Sequence, residues 1–113
     1  MHVDSYDFCR IVIDGVTYSQ DLLIWPGHIQ KDWWRQESHL LQLPDVFEAL
    51  AADPQIFVVG KGQPGRMQVD SELSAYLKDK GIELVELPTR QAVQVINSRA
   101  GKRRLAAALH LTC

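Results

Sequence analysis

The chain has no apolar run approaching the roughly 20 residues that a membrane-spanning helix requires, and Leu105–Leu109 is among its longest. A helical membrane span is therefore excluded. Positive charge is not in surplus either: 12 Lys and Arg stand against 14 Asp and Glu, a formal charge of −2. No global positive field draws a phosphodiester backbone, so nucleic acid is not an expected partner. Cysteine is scarce. Cys9 and Cys113 stand near opposite ends without the spacing of a zinc site or a redox pair, and both are expected to remain thiols in a reducing compartment, with a disulfide between the ends as the less favoured, geometrically feasible alternative. Residues Met1 to Phe8 include Asp4 and Asp7 but no basic or apolar leader region, so no signal or transit peptide is read there and a cytoplasmic location is expected. Repeats, low-complexity tracts and linker composition are also missing, which makes residues 1–113 one expected domain.

What is present is average for a folded protein: 46% hydrophobic and 23% charged residues. The alternation over Phe8–Ile13, followed by Asp14-Gly15, predicts a β-hairpin that returns through Val16–Tyr18. Leu22–Trp25 reads as a strand ended by Pro26-Gly27, while His28–Leu43 shows no sustained period. Pro44-Asp45 opens a short helix to about Ala52, with Val46, Phe47 and Leu50 as its expected buried stripe. Ile56–Val59 is a continuous apolar run and the candidate central strand. After the glycine segment Gly60–Gly65, Asp70 or Ser71 caps a helix that buries Leu73, Tyr76 and Leu77 and stops at Gly81. Ile82–Leu87 is then a strand parallel to the central one, because strand–helix–strand crossovers are right-handed and return to the same sheet. Thr89 is expected to cap a last helix carrying Ala92, Val93 and Ile96, before a final strand over Leu105–Leu111.

In that order, six strings resemble a small family of domains of unknown biochemical function that includes an adipogenesis-associated protein and a mitochondrial complex I assembly factor. They are Ile13-Asp14-Gly15, Asp21–Pro26, Trp34-Arg35 with His39, the glycines at 60, 62 and 65, Leu87-Pro88-Thr89, and Ala106–Leu111. The resemblance spans nearly the whole chain. It implies a three-layer α/β fold with a mixed central sheet of about five strands, an N-terminal β-hairpin and a last strand antiparallel to its neighbours. It carries over no catalytic residue.

Several groupings bear on chemistry. Gly60, Gly62 and Gly65, with Lys61 and Arg66, follow a buried strand where a phosphate-binding turn would lie, but the helix starts too late for a dinucleotide fingerprint. A tight structural loop is the plainer reading. No Gly-Lys-Ser/Thr follows the glycines, and no His or Cys pair has helical metal-binding spacing, so no cofactor and no metal are expected. His110, in an apolar strand, is either a satisfied core histidine or a proton-transfer group at a sheet end. No serine sits in a nucleophile elbow. Trp33 and Trp34 point to opposite faces if the chain is extended, so one of them is expected to be exposed beside Arg35, and the three residues form a candidate interface. Arg99, Lys102, Arg103 and Arg104 cluster where cations complement the end of the last helix, or where they would meet an anion.

The function is not stated by these residues. They favour a non-enzymatic interaction or assembly-type module with a protein partner, as a monomer or weak homodimer. The alternative is a binder of a small anionic ligand or nucleotide, or an enzyme, that uses loop 60–65.

Overall fold

Asp14 and Gly15 adopt φ of 47° and 80°, the left-handed pair that a two-residue hairpin turn needs, and they join β2 (Arg10–Ile13) to β3 (Val16–Tyr18). The computed structural model describes residues 1–111. It adds a strand that the alternation did not show: β1 (Val3–Asp7) pairs antiparallel with β2, so the N-terminal hairpin becomes a three-stranded sheet. Phe8 and Cys9 form the β1–β2 turn rather than the start of a strand, because the Cys9 N–H is taken by the Leu111 carbonyl at 3.0 Å. Cys9 is disulfide-bonded, contrary to the thiol expected of it, and Leu111 passes directly beside its turn. Cys113 lies outside the described residues.

The main sheet has five strands in the order β5-β4-β10-β7-β9, comprising β4 (Leu22–Trp25), β5 (His28–Gln30), β7 (Ile56–Gly60), β9 (Glu83–Leu87) and β10 (Leu105–Leu109). β7 is central, paired in parallel with both β9 and β10. The last strand is antiparallel to β4 but parallel to β7, so the antiparallel expectation holds for one neighbour only. The reason lies in the connection: helix α3 (Thr89–Arg99) carries the chain back across the sheet from β9 to β10, which makes β10 run with β7 and β9. β5, the product of the Pro26-Gly27 turn, and the short parallel pair β6 (Leu40–Leu41) with β8 (Gln68–Val69) lie in stretches without readable period.

Side chains alternate across this sheet. Ile24, Ile56, Val58, Ala107 and Leu109 face α3 (Thr89–Arg99) and the three-stranded sheet, together with Val3, Ile11, Ile13, Ala92 and Ile96. Leu23, Phe57, Val59, Ala106 and Ala108 face α1 (Phe47–Ala51) and α2 (Ser71–Asp79), with Trp33, Val46, Leu73 and Leu77. This is the three-layer arrangement. Each fully buried Leu, Ile or Phe contributes about 1.5–3 kcal/mol relative to exposure. β7 and β10 are buried throughout because both are internal strands covered on both faces.

Two expected helix details are corrected. Val46 is buried as expected, but Phe47 is 58% exposed and Ala49 is buried in its place, because a 3₁₀ turn over Leu43–Val46 precedes α1 and rotates its apolar face. Thr89 is not a capping residue: Pro88 occupies the N-cap, and the Thr89 side chain is fully buried in other bonds.

Candidate functional site

Because β7, β9 and β10 run in parallel, Gly60, Leu87 and His110 arrive at one edge of the sheet, the end where open α/β sheets place ligands. β4 runs the other way, with Leu22 opposite Leu109, so Asp21 just before β4 stands beside His110 just after β10. Asp21 Oδ2 accepts hydrogen bonds from His110 Nδ1 at 2.9 Å and from Arg35 Nη1 at 2.8 Å, while its Oδ1 accepts the Leu111 N–H at 2.8 Å. Arg35 Nη2 donates to the Ser38 carbonyl at 2.6 Å, and the guanidinium lies over the Trp33 ring, 4.8 Å from its centroid. The His39 ring meets that of His110 edge-on at 5.8 Å.

Local chain geometry explains how Arg35 reaches this point from a segment without regular structure. The Trp33 N–H bonds the Asp21 carbonyl at 2.9 Å and the indole Nε1–H donates to the Asp45 carbonyl at 3.1 Å, which pins the residues on either side. The Arg35 side chain is 3% exposed. Burial by itself pushes the Asp21 carboxyl upward, but the hydrogen bonds from His110, the Leu111 N–H and Arg35 outweigh it, and the group ends below its ordinary value. Asp21 is thus a stable carboxylate that neutralises a buried guanidinium and orients an imidazole. With Nδ1–H donating to Asp21, the Nε2 of a neutral His110 is the acceptor.

The glycine segment packs against the same edge, with the N–H groups of Lys61 and Gly62 committed internally. The Gly62 N–H donates to Thr89 Oγ1 at 2.8 Å, and that hydroxyl donates to the His110 carbonyl at 2.7 Å. The Thr89 N–H returns to the Gly62 carbonyl at 3.2 Å, and the Arg90 N–H to Gln63 Oε1 at 3.4 Å. The His110 N–H is held by the Gly60 carbonyl at 3.0 Å. The first N–H groups of α3, which a phosphate would require, are therefore capped by the loop itself. Gly62 has φ of 87°, a conformation that a side chain opposes, so Gly62→Ala is expected to cost about 1 kcal/mol. An unchanged midpoint in a urea melt would show that the loop relaxes freely and that this tie carries no stability.

Of the residues singled out in the sequence, the structure brings His110, Gly60, Gly62 and Arg35 to one edge. It does not gather the cations there. Lys61 Nζ reaches Glu86 Oε1 at 4.0 Å, Arg66 is exposed, and Gly65 serves a turn with φ of 98°. Trp33 and Arg35 are each 6% exposed and belong to the interior, which leaves Trp34, at 77%, as the exposed member of the proposed interface triplet. Asp21 and His39 were given no chemical role by sequence. Asp21 lies 89 residues from His110, and no spacing rule joins them.

Two grooves open on the described surface. A shallow one of about 390 Å³ is lined by Trp33, Trp34, Pro44, Phe47 and Glu48. A larger one, of about 720 Å³, opens between the Pro26-Gly27 turn and the loop Ala100–Arg104, at the opposite end of β10 from His110. Among the described residues, no group of three His, Cys, Asp or Glu side chains converges to hold a metal ion, and no helix is long and apolar enough to cross a membrane.

These features define a three-layer α/β fold with a mixed five-stranded sheet and a half-buried Asp–His–Arg cluster at the carboxyl ends of its parallel strands. The chain belongs to the family described as protein of unknown function (DUF498/DUF598), which matches residues 3–110. It is similar to the conserved hypothetical protein PH1505 from Pyrococcus horikoshii OT3, with 28% identity over 100% of both chains and a TM-score of 0.88. The Xanthomonas campestris protein XCC1710 is 20% identical over 96% of this chain and 83% of its own, with a TM-score of 0.79. A Bordetella pertussis protein described as an Mth938-like domain is 18% identical over 96% of this chain and 84% of its own, with a TM-score of 0.67. The last two likenesses are of fold.

Proposed function

We propose that this protein is a non-enzymatic interaction module, acting in the cytoplasm in the manner of an assembly factor, that holds a protein partner at the Trp34–Phe47 surface. The observation that carries the reading is that Trp34 and Phe47, 77% and 58% exposed, line one groove. Tryptophan and phenylalanine supply large contact area with few rotamers to immobilise, which is why such residues anchor interfaces. Asp32, Glu37 and Glu48 are exposed on the stretch 31–48 against one exposed lysine, Lys31, while its Arg35 is buried and neutralised by Asp21. The fitting partner therefore presents an apolar anchor flanked by Lys or Arg. The assembly role of one similar family member points the same way. The alternative, an anion or nucleotide held by loop 60–65, has less support, since the Lys61 and Gly62 N–H groups and the first N–H groups of α3 are taken by the chain.

Trp34→Ala is expected to change folding stability by no more than about 0.5 kcal/mol, because the side chain contributes little to either core. With folding preserved, crosslinked capture by the wild type and by Trp34→Ala/Phe47→Ala tests the surface. A stoichiometric partner with a basic-flanked apolar segment, lost in the double variant and weakened by salt, is the expected result. Capture that the double variant leaves intact, or no partner at all including a second copy, overturns the proposal.

A further inference from the structure

Strand β5 ends the five-stranded sheet: β4 lies on one side of it, and among the described residues no strand pairs with it on the other. Which backbone groups this leaves open follows from the hairpin. Trp25 and His28 close the turn Pro26-Gly27 and exchange their N–H and C=O groups, as Leu23 and Gln30 do further along, so Ile24 and Ile29 between them are a non-hydrogen-bonded pair. The Ile29 N–H and C=O therefore point away from β4, and no other backbone group among the described residues meets them. The opposite edge of the sheet is guarded by charge. There β9 carries the exposed Glu83 and Glu86, paired with Arg103 and Lys61, whereas β5 reads His28-Ile29-Gln30 and holds no carboxylate, lysine or proline.

A strand added beside β5 would send its side chains alternately to the two faces of the sheet, and at this edge both faces are open. On the face of Ile29 lies the larger groove, of about 720 Å³, with Ile24 and Leu105 at its floor. On the other face Leu23 and Gln30 line the smaller groove together with Trp34 and Phe47. Trp25 and His28 share this second face by the same alternation, their rings stacked with centroids 4.4 Å apart, so aromatic surface flanks Gln30 along the edge as well.

The second face is also acidic. Asp45 and Glu48 line its groove and no lysine or arginine does. A second copy joined through β5 would bring this same face alongside itself, because a two-fold axis normal to a continuous sheet keeps equivalent faces on one side, and like charge would meet like. A basic segment is drawn to it instead. We infer that β5 is the docking edge for the partner: an extended segment of another protein adds a strand there, bonding the Ile29 N–H and C=O, with an apolar side chain against Trp34 and Phe47 and a Lys or Arg beside Glu48. This rests on the Trp34–Phe47 reading and gives that partner its conformation. Because β5 is only three residues long, main-chain bonds are few, and the groove side chains carry the selectivity.

The test uses a blocked peptide of β-branched residues with a central phenylalanine and a lysine at each end, and a twin N-methylated at alternate amides. One-to-one binding of the parent peptide is expected, with the twin weaker by about tenfold or more because its pairing edge is blocked. Amide exchange at Ile29 should slow about tenfold or more in the saturated complex. Glu48→Lys and added salt should each weaken binding severalfold. Ile29→Pro, which removes an N–H that the sheet does not use, should abolish binding, while Ile29→Val retains it. Equal affinity for the twin, unchanged exchange at Ile29 in the complex, or no saturable binding overturns strand addition. The Trp34–Phe47 reading fails separately: it survives a complex that needs those two side chains but leaves Ile29 unprotected, and it falls if Trp34→Ala/Phe47→Ala binds like the wild type. Protection of Ile29 that rises with protein concentration in the absence of peptide would make a second copy the occupant and also overturn the inference.

Discussion

Asp21→Asn should cost about 3–5 kcal/mol of folding stability, the range observed when one member of a buried ion pair is removed and its partner is left without a counter-charge. The guanidinium left behind, that of Arg35, is 3% exposed and keeps the neutral Ser38 carbonyl at Nη2 but no counter-charge. A packing change alone is not expected, since Asn has the shape of Asp. The control is Asp21→Asn/Arg35→Met, which removes the orphaned charge and should lie well above the sum of the single losses. Strict additivity in that cycle would show that the pair does not act as a unit.

The same pair sets an acid dependence. The folded Asp21 carboxyl lies below its ordinary value, so the unfolded chain takes up the proton first as pH falls. The stabilisation is therefore complete above the unfolded value near 3.9 and is lost as pH drops through the lower folded one. The stability gap between wild type and Asp21→Asn should accordingly be full at about pH 6 and narrow below about pH 4. A gap that stays constant from neutral to acid pH would assign the loss to something other than the charge.

The second large effect is expected at Gly60, where a methyl group has no room. An added Cβ would lie 2.9 Å from Leu109 Cδ2, 3.0 Å from Thr89 Oγ1 and 3.3 Å from the Thr89 Cα. The first contact can yield by a small rotation, but the Cα belongs to the start of α3, and the hydroxyl holds both the Gly62 N–H and the His110 carbonyl. Gly60→Ala should therefore destabilise by about 1–3 kcal/mol through overpacking. It should also raise hydrogen exchange at the Gly62 amide, because its acceptor must move. Unchanged stability with unchanged exchange would mean that strand and helix separate at no cost and that this contact does not hold the edge together.

Much of the layer plan was legible in local sequence. Asp14-Gly15 marks its turn because few residues tolerate left-handed backbone, Ile56–Val59 marks the central strand by being apolar on both faces, and Gly81 closes α2 in the left-handed conformation with φ of 70°. Elements whose residues carry no period of their own escaped: β1 and β5 are completed by pairing, and β6 with β8 amounts to two residues on each side. The rotated face of α1 shows the same limit, since the 3₁₀ turn before it alters the phase from which the stripe is counted.

The candidate site was legible only in fragments. His110 stood out as a polar residue in an apolar strand, and Trp33-Trp34-Arg35 as an aromatic–basic cluster, but the sequence assigned Arg35 to a surface and the fold buries it. By itself the sequence determined the Asp14-Gly15 hairpin turn, the strands over 22–25, 56–59, 82–87 and 105–109 and the helices after residues 44, 70 and 88, because hydrophobic period and backbone freedom are properties of neighbouring residues. Only the tertiary structure decided that Asp21, Arg35 and His110 form one hydrogen-bonded cluster, that Thr89 ties the glycine loop to the last strand rather than capping a helix, and that Trp34 is left exposed. The physical reason is that charge pairing and burial act through space: they depend on which strand ends meet at a sheet edge, and the antiparallel register of β4 against β10 sets that meeting.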